Sequence, residues 1–239
     1  MSISRLLATK GGHLSMATPT MTSVRKLGIA SMAALSILTP ITVAPAAQAE
    51  PCPDVEVVFA RGTSEPVGIG RVGQALVDNL QGGQLGGRSV SAYAVNYPAT
   101  YDFLGAADGA TDATNHIASM AAACPSTKFV LGGYSQGAAV VDMLVGIPPL
   151  GNKVGDIGSA PPLPGNLANR VAGLAVFGNP STKFSIPITS AGGVFAGKGV
   201  DFCNDGDPIC SRGRNPFAHT DYEKGDSPAQ AAGFLAGLL

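Results

Sequence analysis

The segment FVLGGYSQGAAV, residues 129–140, places one serine, Ser135, between two glycines. The apolar run before it predicts a strand, and the alanine-rich run after it predicts a helix. Gly133–Gly137 fit the pattern G-x-S-x-G, which forms a nucleophile elbow in a strand–turn–helix context. In so tight a turn a side chain at either glycine would collide with neighbouring backbone, and the serine hydroxyl projects from the end of the strand. The backbone amide of Gln136 could then donate to an oxyanion.

A serine hydroxyl needs a base before it becomes a nucleophile at neutral pH. In a fold with this elbow, the acid and then the base follow the serine along the chain. His116 precedes Ser135 and lies in an alanine-rich segment that predicts a helix. His219 follows Ser135, in the turn-rich segment NPFAHTDY. His219 is therefore the predicted base.

The acid has more candidates, because several aspartates follow Ser135. A carboxylate that orients an imidazole must itself be held firmly. Asp205 and Asp207 both lie in CNDGDPIC, a short segment between two cysteines that would hold either of them. Gly206 and Pro208 shape the backbone beside Asp207, which slightly favours Asp207 and leaves Asp205 open.

Residues 1–49 have the features of an export signal. Basic residues that include Arg25 and Lys26 precede the apolar stretch Leu27–Val43, and Ala47–Ala49 supply the small residues of a cleavage site. We predict that residues 1–49 are removed as a signal peptide, that residues 50–239 form one domain, and that the protein is secreted. Association with the cell envelope stays open. A retained membrane anchor is the alternative, but an anchor usually has about 20 apolar residues and no cleavage site.

The four cysteines all follow the predicted signal peptide, and an even number in an exported chain predicts two disulfides. Four cysteines allow three pairings, and the short loop between Cys203 and Cys210 favours joining these two, which leaves Cys52 for Cys124. The C-x₆-C spacing and the scarcity of histidines argue against a zinc site. We expect no metal and no cofactor.

Strand and helix patterns alternate after residue 54, and the strands are mostly apolar on both faces. This arrangement is typical of α/β proteins, in which helices cover both faces of a parallel sheet. The chain has a net charge of −1 and 13% charged residues, without a basic stripe, so we expect no nucleic-acid partner. We also expect a monomer without a membrane-spanning segment after export.

Two further segments carry specific expectations. Residues 180–197 form a stretch with glycine, serine and proline that reads as a loop with exposed apolar side chains. It is either a loose connection or one wall of an apolar substrate groove. The final helix is predicted to begin at Ser227-Pro228, with Ser227 and Gln230 forming a capping box.

Four segments together resemble the cutinase family, especially the secreted cutinase-like proteins of mycobacteria: VVFARGTSEP, GGYSQGAAV, CNDGDPIC and AHTDY. The resemblance runs from Cys52 to the end of the chain. It implies an α/β-hydrolase fold, a three-layer α/β/α sandwich around a mainly five-stranded parallel sheet, without a lid domain. Carried over position by position, it implies that Ser135 is the nucleophile, Asp207 the acid and His219 the base. It also implies an oxyanion hole at Thr63 and Gln136. The disulfide pairs that it implies are Cys52–Cys124 and Cys203–Cys210.

We therefore expect a secreted serine esterase that hydrolyses carboxylic esters with aliphatic acyl chains. The substrate class is a lipid, a polyester or a short-chain ester, as in cutinases and lipases. Two alternatives remain open on the sequence. One is acyl transfer or thioester hydrolysis by the same three residues, and the other is a non-catalytic secreted binding protein or antigen.

Overall fold

The structure is a computed structural model that describes residues 51–152 and 157–239. The predicted signal peptide, residues 1–49, lies outside the described residues. Within the described residues there are six strands, namely β1 (Val55–Ala60), β2 (Val90–Ala94), β3 (Lys128–Tyr134), β4 (Pro149–Asn152), β5 (Val171–Phe177) and β6 (Gly199–Phe202). Five of them form one parallel sheet in the order β2-β1-β3-β5-β6, and β4 lies outside it. The predicted five-stranded parallel sheet is confirmed.

α-Helices lie between most neighbouring strands of the chain, as is usual for a parallel sheet, whereas 3₁₀ turns alone connect β5 to β6. The α-helices are α1 (Gly70–Asn79), α2 (Ala106–Ala123), α3 (Gln136–Leu144), α4 (Gly165–Ala168), α5 (Pro216–Thr220) and α6 (Ser227–Ala236). A π-helical turn extends α1 over Leu80–Gln84. Short 3₁₀ turns cover Phe103–Gly105, Pro180–Phe184, Ile188–Ser190, Gly193–Phe195 and Tyr222–Lys224.

Side chains of β1 alternate between two separate apolar clusters, because successive residues of a strand point to opposite faces. Val57 and Phe59 belong to the cluster that includes residues of α1 and α6. Val58 and Ala60 belong to the cluster that includes residues of α2 and α3. The sheet is therefore covered on both faces, and the predicted three-layer α/β/α sandwich is confirmed.

The strand order creates a crevice above the middle of the sheet. After β1 the chain moves outward to β2, and after β3 it moves in the opposite direction to β5 and β6. In open α/β sheets, ligands bind beyond the carboxyl ends of the strands where the connections diverge in this way. The loop that follows β1 and the turn that follows β3 therefore border the same opening.

Two local expectations differ from the structure. Residues 180–197 are not a loose connection, because they form three 3₁₀ turns whose Ile188 and Phe195 are 0% and 7% exposed. The predicted capping box at Ser227 does not form either. Asp226 precedes the first helical residue of α6, and no side chain caps the helix. Proline in the first turn of α6 presets the backbone there without a cap.

Candidate active site

Ser135 occupies the turn between β3 and α3 in a backbone conformation that is uncommon outside glycine, with φ 56° and ψ −117°. The two flanking glycines explain how the turn is accommodated. A Cβ added to Gly133 would collide with the carbonyl of Gly137, and one added to Gly137 would collide with the carbonyl of Ala60. The elbow is thus packed directly against the end of β1, and the Ser135 hydroxyl faces the crevice.

Three of the predicted site residues meet in one hydrogen-bonded chain. His219, in the last turn of α5, places Nε2 2.8 Å from Ser135 Oγ. Its other ring nitrogen, Nδ1, lies 2.8 Å from Oδ2 of Asp207. The imidazole is 15% exposed and the Asp207 carboxylate is fully buried. Asp205, the alternative acid, is exposed in the same cysteine loop.

The cysteine loop holds Asp207 in place. A disulfide joins Cys203 to Cys210, and a second joins Cys52 to Cys124. Asp207 Oδ1 accepts a hydrogen bond from the Ile209 amide at 2.7 Å, which restricts rotation of the carboxylate. Both carboxylate oxygens are therefore held, Oδ1 by the Ile209 amide and Oδ2 by the imidazole and by the Tyr222 hydroxyl.

The electrostatics of Asp207 reflect two opposed effects. Burial alone would raise the pKa of this carboxyl, because a charge is costly to desolvate. Hydrogen bonds from His219, Tyr222 and the Ile209 amide outweigh that effect and hold the pKa below its ordinary value. Asp207 is thus an ionised carboxylate at neutral pH, as an acceptor for an imidazole proton must be.

His219 is held on three sides. The Tyr134 hydroxyl donates a hydrogen bond to the His219 carbonyl at 2.6 Å, and the Asn204 side-chain amide donates to the Ala218 carbonyl at 2.9 Å. Gly178 has a positive φ of 59°, and a Cβ there would lie 2.8 Å from Cε1 of the imidazole. The ring fills a slot that only a glycine at 178 leaves open.

Thr63 and Gln136 face each other across the opening between the ends of β1 and β3. The Thr63 hydroxyl donates to Gln136 Oε1 at 3.1 Å. Gln136 is the first residue of α3, where backbone amides have no acceptor within the helix. Among the described residues, Nε2 of Gln136 is one of four buried side-chain polar atoms without a hydrogen-bond partner. Donors are therefore available beside the Ser135 hydroxyl.

The loop that carries Thr63 is stiffened by two charged side chains. Glu65 Oε2 accepts a hydrogen bond from the Gly62 amide at 2.7 Å. Arg61 is 3% exposed and donates through Nη2 to the Tyr97 carbonyl at 2.8 Å. Arg61 also donates through Nε to the carbonyl of Glu65 at 3.0 Å. These contacts fix the backbone on both sides of Thr63.

A groove with a volume of about 700 Å³ runs over this site. Apolar atoms form a larger part of the groove wall than polar atoms do. Of the segment 180–197, only Pro180 is among the lining residues of the groove, so this segment contributes little to the wall. The lining residues are Thr63, Glu65, Arg71, Tyr101, Phe103, Tyr134, Ser135, Gln136, Leu150, Ile157, Pro180, Ile209, His219 and Thr220.

Sequence reasoning missed several residues that shape the site. Tyr134 is the variable residue of the elbow pattern, and Tyr222 belongs to no catalytic pattern, although its hydroxyl contacts Asp207. The Tyr134 hydroxyl contacts the His219 carbonyl 85 residues away, and the Tyr222 hydroxyl contacts Asp207 15 residues away, so no local periodicity indicates either contact. Phe103, which no sequence motif marks, begins a 3₁₀ turn and lines the groove.

Two findings on the described part of the chain concern metals and membranes. No group of three or more histidine, cysteine, aspartate or glutamate side chains is arranged there to hold a metal ion. None of the helices in residues 51–152 and 157–239 is long and apolar enough to cross a bilayer.

Comparison with known proteins defines the class of protein. The family profile described as Cutinase matches residues 51–239, and the chain belongs to the cutinase family. Among its relatives, Phospholipase Culp4 of Mycobacterium tuberculosis is 48% identical over 210 residues, which cover 88% of this chain and 89% of that protein. Carboxylesterase Culp1 of Mycobacterium bovis is 40% identical over 223 residues, covering 90% of this chain and 95% of that protein.

A solved structure agrees with the sequence relatives. The structure of Trichoderma reesei cutinase in complex with a phosphonate inhibitor superimposes with a TM-score of 0.59 at 33% identity. The match covers 79% of this chain and 77% of that chain. The fold is that of the α/β-hydrolases, and the protein is a carboxylic ester hydrolase. The alternative of a non-catalytic binding protein is therefore set aside.

Proposed function

We propose that this ester hydrolase is a serine esterase that acts through an acyl-enzyme on Ser135. The observation that carries the proposal is the continuous hydrogen-bonded chain from Ser135 Oγ through His219 to Asp207, with 2.8 Å at each step. A base in direct contact with a serine hydroxyl, and oriented by a buried carboxylate, is the arrangement that activates this nucleophile.

In the proposed reaction, Ser135 Oγ attacks the ester carbonyl carbon while its proton moves to Nε2 of His219. Asp207 stabilises the imidazolium that results. The backbone amides of Thr63 and Gln136 donate to the oxyanion of the tetrahedral intermediate. The alcohol leaves with the proton from His219, and a water molecule that loses its proton to His219 then releases the acid and regenerates Ser135.

The substrate we propose is an ester with an aliphatic acyl chain. Support comes from the groove, whose wall includes Tyr101, Phe103, Leu150, Ile157 and Ile209. Apolar groove walls favour methylene chains by roughly 0.8 kcal/mol for each buried CH₂. The charged side chains of the groove, Glu65 and Arg71, lie within 3.5 Å of each other and partly neutralise one another. Lipids, polyesters and short-chain esters all offer such an acyl group.

We further propose that the protein works outside the cell as a monomer, after removal of residues 1–49. Two disulfides support an oxidising compartment, because disulfides persist in secreted proteins and are rare in the cytosol. Size-exclusion chromatography of the exported protein and amino-terminal sequencing would test the monomer and the cleavage site together.

Phospholipid is the second candidate substrate, since the relative that is 48% identical is named a phospholipase. Acyl transfer to an alcohol and thioester hydrolysis would use the same acyl-enzyme. Product analysis separates these reactions from hydrolysis of simple esters. Free fatty acid from phosphatidylcholine vesicles indicates a phospholipase, and a new ester in the presence of added glycerol indicates acyl transfer.

The decisive experiment compares wild type with Ser135→Ala and with Ser190→Ala, a serine that is exposed and does not line the groove. Hydrolysis of p-nitrophenyl butyrate should fall by about 10⁴-fold or more in Ser135→Ala and stay unchanged in Ser190→Ala. A fluorophosphonate probe should label wild type and Ser190→Ala on the peptide that contains Ser135. Unchanged turnover in a folded Ser135→Ala protein would refute the proposal.

A further inference from the structure

A buried tyrosine hydroxyl lies directly beneath the acid of the proposed site. Tyr222 is fully buried and begins the short 3₁₀ turn after α5. Its hydroxyl is 2.7 Å from Oδ2 of Asp207, the same oxygen that faces His219 Nδ1. The reaction described above uses Ser135, His219 and Asp207 and does not need this hydroxyl. Its placement therefore requires a separate explanation.

The surroundings of Tyr222 determine where its proton points. The Asn204 backbone amide donates a hydrogen bond to the Tyr222 oxygen at 3.0 Å, so that oxygen already acts as an acceptor. The remaining acceptors within reach are Asp207 at 2.7 Å and the Cys210 sulfur at 3.5 Å. A carboxylate oxygen is a far better acceptor than a disulfide sulfur. The phenolic proton is therefore donated to Asp207.

Tyr222 remains a donor across the working pH range. Burial is the main cause that raises its pKa far above the ordinary value, and the neighbouring Asp207 carboxylate adds to it. Tyr134, which packs with its ring centroid 5.8 Å from that of Tyr222, also has a pKa raised by burial and stays neutral. Neither tyrosine therefore adds a charge of its own beside Asp207.

We propose that Tyr222 is a positioning residue for the esterase reaction, which fixes the rotation of the Asp207 carboxylate and limits how strongly that carboxylate attracts a proton on His219. The inference rests on the proposed function of Ser135, His219 and Asp207. A second donor on Oδ2 shares the negative charge that would otherwise act on the imidazolium alone. The free imidazole is thus available as a base at a lower pH than it would be beside an unshared carboxylate.

Asn204 connects this arrangement to the loop of the base. Its backbone amide holds the Tyr222 oxygen, and its side-chain amide holds the carbonyl of Ala218, the residue before His219. One residue of the disulfide loop therefore fixes both the hydroxyl under the acid and the backbone beside the base. Asn204 thus holds the Tyr222 hydroxyl that contacts Asp207, and it also holds the backbone next to His219.

The test is the pH dependence of kcat/KM in Tyr222→Phe, with Tyr134→Phe as the matched control. Both substitutions remove one buried phenolic hydroxyl near His219, but the Tyr134 hydroxyl donates to a backbone carbonyl and not to Asp207. In Tyr222→Phe we expect kcat to fall about ten-fold, as for one hydrogen bond to a charged group. We also expect a shift in the acid limb, the pH at which kcat/KM falls to half its maximum on the acidic side. It should move upward by about half a pH unit. The acid limb of Tyr134→Phe should stay where it is in wild type.

A readout without catalysis separates this inference from the proposed function. In the Ser135→Ala background, the His219 Cε1 proton resonance should titrate at higher pH when Tyr222→Phe is added, with the His116 resonance as an unmoved reference. The positioning role would be overturned if Tyr222→Phe changed neither the acid limb of kcat/KM nor the titration curve of the His219 resonance, even if the variant were less stable. Persistent hydrolysis by Ser135→Ala would overturn the proposed function instead.

A second variant covers the case in which Tyr222→Phe does not fold. Incorporation of 3,5-difluorotyrosine at position 222 keeps the ring and the hydroxyl and makes that hydroxyl a stronger donor. The acid limb should then move to lower pH, the opposite direction from Tyr222→Phe. An upward or absent shift with the fluorinated residue would contradict the inference.

Discussion

The side-chain amide of Asn179 donates a hydrogen bond to Oδ1 of Asp142 at 3.1 Å, in the interior of the protein. The same nitrogen lies 3.2 Å from Oδ2 of Asp201. Asp142 is fully buried on α3, and its second oxygen has no partner among the described residues. One amide therefore joins a fully buried carboxyl group to a partly buried one. Burial raises the pKa of Asp142 well above its usual value, and the nearby Asp201 contributes in the same direction.

The first prediction follows from the sign of this shift. In the folded protein Asp142 keeps its proton at pH values where the unfolded chain has lost it, so its contribution to stability is complete below about pH 4 and declines as the pH rises. Asp142→Asn carries no charge at any pH. We expect its Tm to equal that of wild type at pH 4 and to exceed it at pH 8.

Each unit by which the pKa is raised corresponds to about 1.4 kcal/mol. In a domain of this size, each kcal/mol shifts Tm by about 2–4 °C. Thermal unfolding at pH 4, 6 and 8 measures the difference. A constant difference between the two proteins at all three pH values would show that Asp142 does not change its charge on unfolding.

The second prediction concerns the two disulfides, which differ in the loops they close. Cys52–Cys124 spans 72 residues, and Cys203–Cys210 spans 7. Chain entropy gives about 4 kcal/mol of stabilisation for the long loop and about 2 kcal/mol for the short one. The short loop contains Asp207, however, and the hydrogen-bond partners of the Asp207 side chain, His219, Ile209 and Tyr222, all lie outside the long loop.

Paired Cys→Ser variants test this division. The Cys203/Cys210 variant should lose about ten-fold or more in kcat, because Asp207 is no longer held against His219. The Cys52/Cys124 variant should lose more stability in urea and keep kcat when assayed well below its unfolding midpoint. The reverse pattern, with activity lost on removal of Cys52–Cys124, would contradict the assignment of these roles.

The third prediction concerns the apolar wall of the groove. Along a series of p-nitrophenyl esters, kcat/KM should rise about four-fold for each added methylene until the wall ends, which corresponds to about 0.8 kcal/mol for each CH₂. Phe103→Ser should flatten this rise, because Phe103 lines the groove. Val67→Ser is the control, since Val67 is 90% exposed and is not among the lining residues. Equal slopes in all three proteins would mean that the acyl chain lies elsewhere.

The fourth prediction compares two glycines. A Cβ on Gly137 would collide with the Ala60 carbonyl, whereas a Cβ on Gly82 meets nothing within 4 Å. Gly137→Ala should therefore fail to fold or lose all activity. Gly82→Ala should raise the free energy of unfolding by roughly 0.5–1 kcal/mol, because alanine restricts the unfolded chain. Urea unfolding followed by circular dichroism measures both, and a folded, active Gly137→Ala protein would disprove the close approach of the elbow to β1.

The parts of the fold that depend on local pattern were predictable from the sequence. Strand β3 covers the apolar run that precedes Ser135, and helix α3 begins at Gln136, directly after Ser135. Strand periodicity and the glycines of the elbow act over a few residues, so a single sequence carries the information. The short helices α4 and α5 and the strand β4 were missed, because four or five residues are too few to establish a period.

The choice of site residues depended on different kinds of information. His219 can be identified as the base by excluding the other histidines, since it is the one histidine that follows Ser135 in the sequence. The same reasoning does not identify the acid, because Asp205 and Asp207 lie in the same cysteine loop and the fold of that loop decides which of them faces His219. The family resemblance made that choice, and the geometry has Asp207 buried against His219 while Asp205 is exposed.

The contacts of Tyr222 could not be predicted, because they depend on how α5 and the turn after it fold back over the disulfide loop. The segment 180–197 illustrates the same limit. Its composition is that of a loop, yet Ile188 and Phe195 are buried in the core between helices and sheet. Composition alone does not reveal which apolar side chains of an irregular segment find a partner.

The slot beside Gly178 restricts how this protein can diverge in sequence. Its backbone has a positive φ, and the space where a side chain would begin is occupied by the edge of the imidazole. Every replacement meets two obstacles at once, a conformation that L-residues disfavour and a displaced His219. A library randomised at this codon and selected for ester hydrolysis should return glycine almost alone. Surface glycines such as Gly192, with open space around them, should accept many substitutions.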